Sequence, residues 1–309
     1  MLAPHFEPVT PTRLFTVPVG YQATLERDGE RDHGHASAAY TDAMAILSAL
    51  LMAAALLALW RGVLWRGRPL PGVTRAEPLL VGHRGVRAHV PENTVAAFRR
   101  ALDAGLDGLE TDVQRTSDAR LVLVHDTHIG GVAVSALPFD ALRERSADLA
   151  TLDDCFQVVR AYPGTWLNLE LKTWRWFDPA LVGDVARAVR ASGLADRTLV
   201  SSFNPMALAM LRVYAPELRV GYLWSSGPAT PRVLRTPWPA GWLHADALHP
   251  HHTLVDEALV ARARRRGLAL NTWTVNEAAD VARLRDLGVS GIMADDPHEL
   301  LRAARGGDE

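Results

Sequence analysis

Eight short apolar segments alternate with amphipathic helical segments between residues 79 and 294, and this alternation constrains the fold more than any other feature. The segments are LLVGH (79–83), LDGLETD (106–112), WLNLEL (166–171), TLVSSF (198–203), RVGYLW (219–224), LHADALH (243–249), LALNTW (268–273) and SGIMA (290–294). Strands separated by helices run parallel, and eight such repeats favour a closed (β/α)8 barrel of the α/β class. A doubly wound open sheet is the alternative.

One further apolar segment, LVLVH (121–125), follows the second strand too closely for a helical crossover. The sequence therefore predicts a hairpin through residues 117–120. If the turn centres on Asp118 and Ala119, Asp112 faces His125 across the hairpin.

Residues 43–60, AMAILSALLMAAALLALW, carry no charge and would reach about 27 Å as a helix, nearly the thickness of a bilayer core. The run predicts a single transmembrane anchor, with a buried core helix or a signal-peptide segment as alternatives. Basic residues follow the run, and the positive-inside rule then predicts a cytoplasmic C-terminal part. They are Arg61, Arg66, Arg68 and Arg75, whereas the N-terminal flank of the run offers only Arg27 and Arg31 among nearby acids.

The expected organisation is a flexible leader (1–42), the anchor helix (43–60), a linker (61–78) and a catalytic barrel (79–303). Met44 stands at the start of the apolar run, so translation beginning there is an alternative. The 33 basic and 35 acidic residues are mixed along the chain and give a net charge of −2. This balance argues against a nucleic-acid partner.

Three acids follow barrel strands at the ends where such folds place their catalytic groups. Glu110 and Asp112 are two residues apart on one strand, so both point to the same face, and Glu170 ends the next barrel strand. Each acid alone would be a solvated strand end or an ion-pair partner. Three convergent carboxylates instead predict a site for a hard divalent cation, Mg²⁺ or Ca²⁺, rather than zinc.

Two histidines, His83 and His125, end strands on either side of these acids. Imidazoles titrate near neutral pH, so this pair could take a proton from one oxygen and give one to another. Arg84 and Lys172 could bind a phosphodiester, or could simply pair with the acids. Residues 91–94, PENT, are explained by capping of the helix that follows.

The segment VGHRGVRAHVPENTVAAFRRALDAGLDGLETDVQRTSDARLVLVHD closely resembles the opening signature of glycerophosphodiester phosphodiesterases. The segments NLELK (168–172), SSFNP (201–205), NTWTVN (271–276) and GVSGIMADDP (288–297) resemble that family's later landmarks in order. The resemblance implies a TIM barrel that hydrolyses glycerophosphodiesters to an alcohol and sn-glycerol 3-phosphate, in glycerophospholipid metabolism. It implies metal binding by Glu110, Asp112 and Glu170, acid and base roles for His83 and His125, phosphate binding by Arg84 and Lys172, and Trp273 near the glycerol.

Aromatic residues after Lys172 and in the segment TPWPAGW predict an aromatic lip around the barrel mouth, in loops without a clear helix. They are Trp174, Trp176, Phe177, Trp238 and Trp242. Such residues favour lipid interfaces, so a lysophospholipid is the alternative substrate. The histidines at 249, 251 and 252 could suggest a second metal, although a solvated loop is favoured.

Two other readings stay open. A catalytically inactive barrel could serve as a membrane-anchored binding module, and a phospholipase C-like or D-like barrel could use a similar metal and histidine site. Free glycerol 3-phosphate is not the common product of such phospholipases, so product analysis separates them.

Overall fold

The computed structural model describes residues 40–60, 64–70, 77–88, 90–173, 175–228 and 230–304. Its strands are β1 (Leu79–Gly82), β2 (Gly108–Arg115), β3 (Leu121–Leu123), β4 (His128–Ile129), β5 (Val132–Ala133), β6 (Trp166–Leu171), β7 (Thr198–Ser202), β8 (Arg219–Trp224), β9 (Ala247–Pro250), β10 (Ala269–Thr272) and β11 (Gly291–Ala294). Its helices are α1 (Tyr40–Leu59), α2 (Val95–Asp103), α3 (Phe139–Arg143), α4 (Leu152–Ala161), α5 (Pro179–Ser192), α6 (Pro205–Tyr214), α7 (Trp238–Trp242), α8 (Glu257–Arg265), α9 (Ala278–Leu287) and α10 (Pro297–Ala304).

The predicted (β/α)8 barrel is confirmed, and the open sheet is excluded. Eight parallel strands follow the order β1, β11, β10, β9, β8, β7, β6, β2, and β2 pairs back with β1 to close the ring. We call the C-terminal ends of these strands the mouth of the barrel and their N-terminal ends the base. No large subdomain is inserted between β2 and β6, where the chain forms β3, a small β4–β5 hairpin, α3 and α4.

The β2–β3 hairpin forms as predicted, but its register differs by one residue. Val113 pairs with Leu123, and the amide of Val124 donates to the carbonyl of Asp112 at 3.0 Å. Asp112 therefore faces Val124, and the prediction that it faces His125 is wrong. The amide of Thr116 donates to the carbonyl of Arg120 at 2.9 Å. The turn is therefore centred on Asp118 and not on the bond between residues 118 and 119.

Two of the three hydrophobic cores among the described residues arise from the alternation of side chains along the barrel strands. The larger core lies between the strands and the surrounding helices. The smaller one contains no helical residue and fills the barrel interior. Its buried members are Leu70, Leu79, Val81, Trp166, Leu199, Ala247 and Met293. Leu70 belongs to no strand, so a segment preceding the barrel supplies part of its interior.

Helix α1 is long and apolar enough to cross a membrane, with 20 residues, a mean hydropathy of 2.2 and no buried residue in its most apolar window. It spans Tyr40–Leu59, against the predicted 43–60. The described residues fall into two units, divided between Leu57 and Ala58. Residues 1–39, most of the predicted leader, lie outside the described residues, as do the predicted flanking arginines Arg61 and Arg75.

Candidate active site

The three predicted metal ligands lie together at the mouth of the barrel. Glu110 and Asp112 point into the barrel from β2, and Asp112 is the direct partner of Glu170 across the β2–β6 pairing. All three side chains are buried, and one carboxylate oxygen from each lies within 4.8 Å of the other two. Among the described residues, no other set of three acidic, His or Cys side chains converges in this way.

The donor set suits a hard divalent cation. Every contributed ligand atom is a carboxylate oxygen, the type that Mg²⁺ and Ca²⁺ prefer. Oxygens bound to one such ion lie at most about 4 to 5 Å apart, so the observed spacing allows all three to reach a single ion. The residues therefore fit the predicted cofactor class, a divalent cation.

The electrostatics of the three acids also favour a cation. Burial, followed by the charges of Asp112 and Glu170, raises the pKa of Glu110 well above its usual range. Burial also raises the pKa of Glu170, although Lys172 offsets part of this effect. For Asp112, burial opposes ionisation, but Lys172 and Arg84 outweigh it and lower the pKa. Glu110 is thus the carboxylate whose ionisation most needs a further positive charge.

Both predicted phosphate-binding cations lie among these acids. Lys172 Nζ is 2.6 Å from Glu170 Oε1 and 3.2 Å from Asp112 Oδ1. Arg84 Nη1 is 2.7 Å from Glu92 Oε1, and its Nε is 3.3 Å from Asp112 Oδ2. The acids thus hold both cations at the mouth. Their phosphate-binding role stays a prediction.

His83 immediately follows β1 and faces the acid cluster. Its Nε2 lies 4.0 Å from Glu110 Oε2, and its Nδ1 lies 2.7 Å from Asp295 Oδ1. Asn276 fixes Asp295, because its Nδ2 donates to Asp295 Oδ2 at 2.8 Å and its Oδ1 accepts from the Asp295 amide at 3.0 Å. Sequence reasoning missed Asp295 and Asn276, although both belong to the late segments that resemble the family.

His125 lies two residues beyond the end of β3. Its Nδ1 is 2.8 Å from Asp126 Oδ1, at an exposed position. Burial, reinforced by the charge of Lys172, lowers the pKa of His125. The lowered pKa favours the neutral imidazole, which is the form that can accept a proton.

Asn93 has a role that capping does not explain. Helix α2 is capped by Thr94, whose side chain accepts from the Ala97 amide. The buried Asn93 instead donates from Nδ2 to Asp112 Oδ2 at 3.0 Å and accepts from the Thr111 hydroxyl at 2.6 Å. Its backbone φ of 57° is in the left-handed region, which asparagine tolerates better than most residues. The loop therefore uses Asn93 to orient a metal-ligand candidate.

Trp273 follows β10 at the mouth. Its indole nitrogen donates to the carbonyl of His249 at 3.0 Å, and its ring packs edge-on against Phe203 and His251 at 5.5 and 5.3 Å between centroids. Lys172 Nζ lies 6.0 Å from the centre of the Phe203 ring. These contacts place an aromatic wall beside the charged cluster.

The predicted aromatic lip is only partly present at the mouth. Trp176 and Phe177 follow Lys172 and are 59% and 58% exposed, while Trp174 lies outside the described residues. Trp238 and Trp242 are not in an irregular loop but begin and end the short helix α7. Four residues after Trp242, the amide of Asp246 donates to the carbonyl of Val220 near the start of β8. Trp242 therefore lies at the base, and the prediction that it lies at the mouth was wrong.

The histidine cluster is not a solvated loop. His249 faces the barrel interior with no exposed surface, and its Nε2 lies 3.1 Å from the side-chain Nδ2 of Asn271. Burial lowers the pKa of His249 to about 3. His251 contacts Trp273, whereas His252 lies 3.5 Å from Asp280. Among the described residues, these histidines take part in no group that could hold a metal ion.

Comparison with known proteins decides the family. Residues 83–299 match the model of the glycerophosphoryl diester phosphodiesterase family. A glycerophosphodiester phosphodiesterase of Caldanaerobacter subterraneus is 31% identical over 246 residues, which is 74% of this chain and 98% of that protein. This chain belongs to the glycerophosphoryl diester phosphodiesterase family. The predicted membership in this enzyme family is confirmed.

Solved structures of glycerophosphodiester phosphodiesterases share the barrel. That of Parabacteroides distasonis is 26% identical, with a TM-score of 0.63 over 74% of this chain and 97% of that one. A phosphodiesterase of Oleispira antarctica, solved with the product sn-glycerol 3-phosphate, is 24% identical, with a TM-score of 0.62 over 74% of this chain and 98% of that one. At 24% identity, the similarity to the Oleispira antarctica structure shows only a shared fold.

Proposed function

We propose that this protein hydrolyses glycerophosphodiesters to an alcohol and sn-glycerol 3-phosphate. The observation that carries the proposal is the convergence, at the mouth of a family barrel, of three buried carboxylates with two histidines. Relatives matched along nearly their whole length bear the name of this activity. A barrel that only bound a ligand would not need this combination of acids and proton-transfer groups.

Glu110, Asp112 and Glu170 would hold the divalent cation, Mg²⁺ or Ca²⁺. When bound, such a cation polarises the phosphoryl oxygens and offsets the negative charge that develops on them. Arg84 and Lys172 lie within this cluster and would supply the positive charges that pair with phosphate oxygens.

His83 and His125 carry the proton transfers in this mechanism. Each has its Nδ1 beside a carboxylate, at 2.7 and 2.8 Å, which leaves Nε2 for the substrate. One histidine takes the proton from the attacking hydroxyl as its oxygen bonds to phosphorus. The other gives a proton to the alcohol oxygen as the phosphorus–oxygen bond breaks.

The attacking hydroxyl belongs either to water or to the 2-OH of the glycerol. Attack by the 2-OH forms a cyclic phosphate, which water then opens. A substrate analogue without the 2-OH separates the routes, because it reacts only if water attacks directly. Trp273 lies in the wall where the glycerol would bind.

The apolar helix α1 is proposed to anchor the protein in a membrane, with the barrel on the cytoplasmic side. A lysophospholipid in the same membrane is then the second candidate substrate. Trp176 and Phe177 favour it, because they expose aromatic rings close to the mouth.

The test is hydrolysis of glycerophosphocholine and lysophosphatidylcholine by the full chain in detergent. We expect release of glycerol 3-phosphate that EDTA abolishes and Mg²⁺ or Ca²⁺ restores. Glu110→Ala and His125→Ala should remove it, while Glu299→Ala, at an exposed position on α10, should not. A folded protein inactive on both substrates would favour the binding-module alternative, and products other than glycerol 3-phosphate would favour a phospholipase-like reaction.

A further inference from the structure

The segment that leads into the barrel is bound to the base and does not behave as a free tether. Leu70 is buried in the barrel interior. The amide of Gly67 donates to the Arg266 carbonyl at 2.8 Å, and Arg219 Nε donates to the Pro69 carbonyl at 3.0 Å. Arg219 is the first residue of β8, so these contacts lie at the N-terminal ends of the strands.

Aromatic stacking fixes the same segment further upstream. The ring of Trp65 lies parallel to that of His244, with 3.9 Å between centroids and 2° between planes. Trp60 packs edge-on against His244 at 5.4 Å. The indole nitrogen of Trp65 also donates to the Ala245 carbonyl at 2.9 Å. Two tryptophans thus pack against a histidine that lies three residues before β9.

A buried ion pair also binds this segment to the base. Arg68 donates from Nε to Asp246 Oδ1 at 2.9 Å and from Nη2 to Asp246 Oδ2 at 2.8 Å. Arg212 donates to the same carboxylate at 2.8 Å, and the Asp246 side chain has no exposed surface. A buried carboxylate shared by two arginines has one favourable geometry, so Arg68 is held firmly against the base.

The surface around this exit has the composition of a membrane interface. Trp60, Leu64 and Trp242 are 48%, 65% and 56% exposed, large values for apolar residues. Arg66 and Arg265 are exposed and Arg219 is partly exposed at this side of the base, whereas Arg68 and Arg212 pair with Asp246. Tryptophan at the headgroup level and arginine beside anionic headgroups are the residues that membrane interfaces favour.

The mouth lies at the opposite end of the barrel. Strand β6 begins at Trp166, which shares the interior cluster with Leu70, and ends beside Lys172 in the acid cluster. Its six residues span about 20 Å. The acid cluster is therefore separated from the exit of the chain by the height of the barrel.

We propose that the base of the barrel rests on an anionic membrane surface, so that the mouth opens into the water. In the sequence, the apolar helix α1 ends at Leu59, shortly before the segment that binds this base. The proposal rests on the proposed function and sharpens its substrate class. An acyl chain seated in the membrane lies on the wrong side of the barrel, so the substrate is a water-soluble glycerophosphodiester and not a membrane lysophospholipid.

The orientation can be tested without activity. Cys155 is buried, so a cysteine introduced at the surface is labelled selectively. The matched pair is Trp242→Cys at the base and Phe177→Cys at the mouth, because the native residues are similarly exposed at 56% and 58%. Each full-length variant is labelled with a fluorophore and reconstituted into vesicles containing phosphatidylserine and a lipid-borne quencher.

We expect strong quenching of the label at position 242 and little at position 177. Equal quenching, or stronger quenching at 177, would overturn the proposal. Trp65→Ala provides a second measurement, because loss of the stacking should reduce the difference between the two labels.

Turnover in the same vesicles tests the substrate class. Glycerophosphocholine should be hydrolysed at least tenfold faster than lysophosphatidylcholine, and the opposite preference contradicts the inference. If the labels behave as expected but neither substrate reacts, the orientation stands and the proposed function fails. If glycerophosphocholine reacts but the labels are reversed, the function stands and the orientation fails.

Discussion

Asp295 holds His83 from a position 212 residues away in the sequence. Burial disfavours the ionised Asp295, but hydrogen bonds from His83 and Asn276 outweigh this and lower its pKa. An ionised carboxylate at Nδ1 fixes both the ring orientation and the tautomer of a histidine. At the scale of single residues, the site thus depends on a positioning residue as well as on groups that would touch the substrate.

Asp295→Asn is expected to lower kcat about tenfold to a hundredfold, a part of what a positioned acid or base contributes. KM should change little, because Asp295 faces His83 and not the substrate. Steady-state kinetics with glycerophosphocholine measure this split, and Asp295→Glu should restore part of kcat. The control is Asp286→Asn, at an exposed acid on α9. An equal loss of kcat in this variant would show that the effect is not specific to Asp295.

Glu110→Gln is expected to stabilise the metal-free protein while abolishing activity. The native carboxylate is buried against two other acids, whereas Gln keeps an oxygen for the hydrogen bond from the Arg84 amide without the charge. We expect the free energy of unfolding in EDTA to rise on the order of 1 kcal/mol at pH 7. Denaturant titration measures the free energy of unfolding of Glu110→Gln, and Glu299→Gln is the surface control. A destabilised variant would mean that charge repulsion is not the dominant effect.

At the scale of elements, the start of β9 is tied to the preceding segment through Asp246. Burial opposes ionisation of Asp246, but its bonds with Arg68 and Arg212 outweigh that effect and lower the pKa. The carboxylate also accepts from the Val220 amide at 3.0 Å. One side chain therefore joins β8, β9, α6 and the segment that precedes the barrel.

Asp246→Asn should destabilise the fold at pH 7 by about 3 to 5 kcal/mol, because two arginines lose a buried partner. Since the folded-state pKa of Asp246 is lowered, its contribution is present above the unfolded value of about 3.9 and is lost as pH falls through the folded value. The gap in stability between wild type and variant should therefore shrink below about pH 4. Thermal unfolding from pH 7 to pH 3 measures the gap, and a constant gap would argue against this ion pair.

At the scale of the whole molecule, the catalytic unit extends beyond the segment that matches the family. Residues 64–70 contribute Leu70 to the barrel interior and Arg68 to the base, although both lie before the predicted barrel start at Leu79. That predicted boundary stays a prediction. The contacts nevertheless indicate that the base is incomplete without this segment.

A fragment of residues 64–309 should therefore unfold at nearly the temperature of the full chain, whereas 79–309 should be clearly less stable or insoluble. Truncation of Leu70 alone should lower the free energy of unfolding by about 2 to 5 kcal/mol, the range for large-to-small substitutions in cores. Leu70→Ala in the full chain checks this value, with Leu64→Ala at an exposed leucine of the same segment as the control. Equal melting temperatures for the two fragments would show that the segment adds nothing.

Local sequence was sufficient to predict the order of strands and helices, because side-chain periodicity follows from the geometry of each element. The same reasoning placed Glu110 and Asp112 on one face, since residues two apart on a strand point the same way. The strand ends predicted His83, His125 and Glu170 as site residues, and the ordered motifs identified the family. All of these inferences rest on short stretches of chain or on their order.

Closure of the barrel decided the rest. The contact between Asp295 and His83 exists only because β11 pairs with β1, and the burial of His249 depends on which face of β9 turns inward. The position of Trp242 at the base and the insertion of Leu70 likewise depend on packing between distant segments. Such contacts are selected by the free energy of the whole packed structure, and local periodicity carries no information about them.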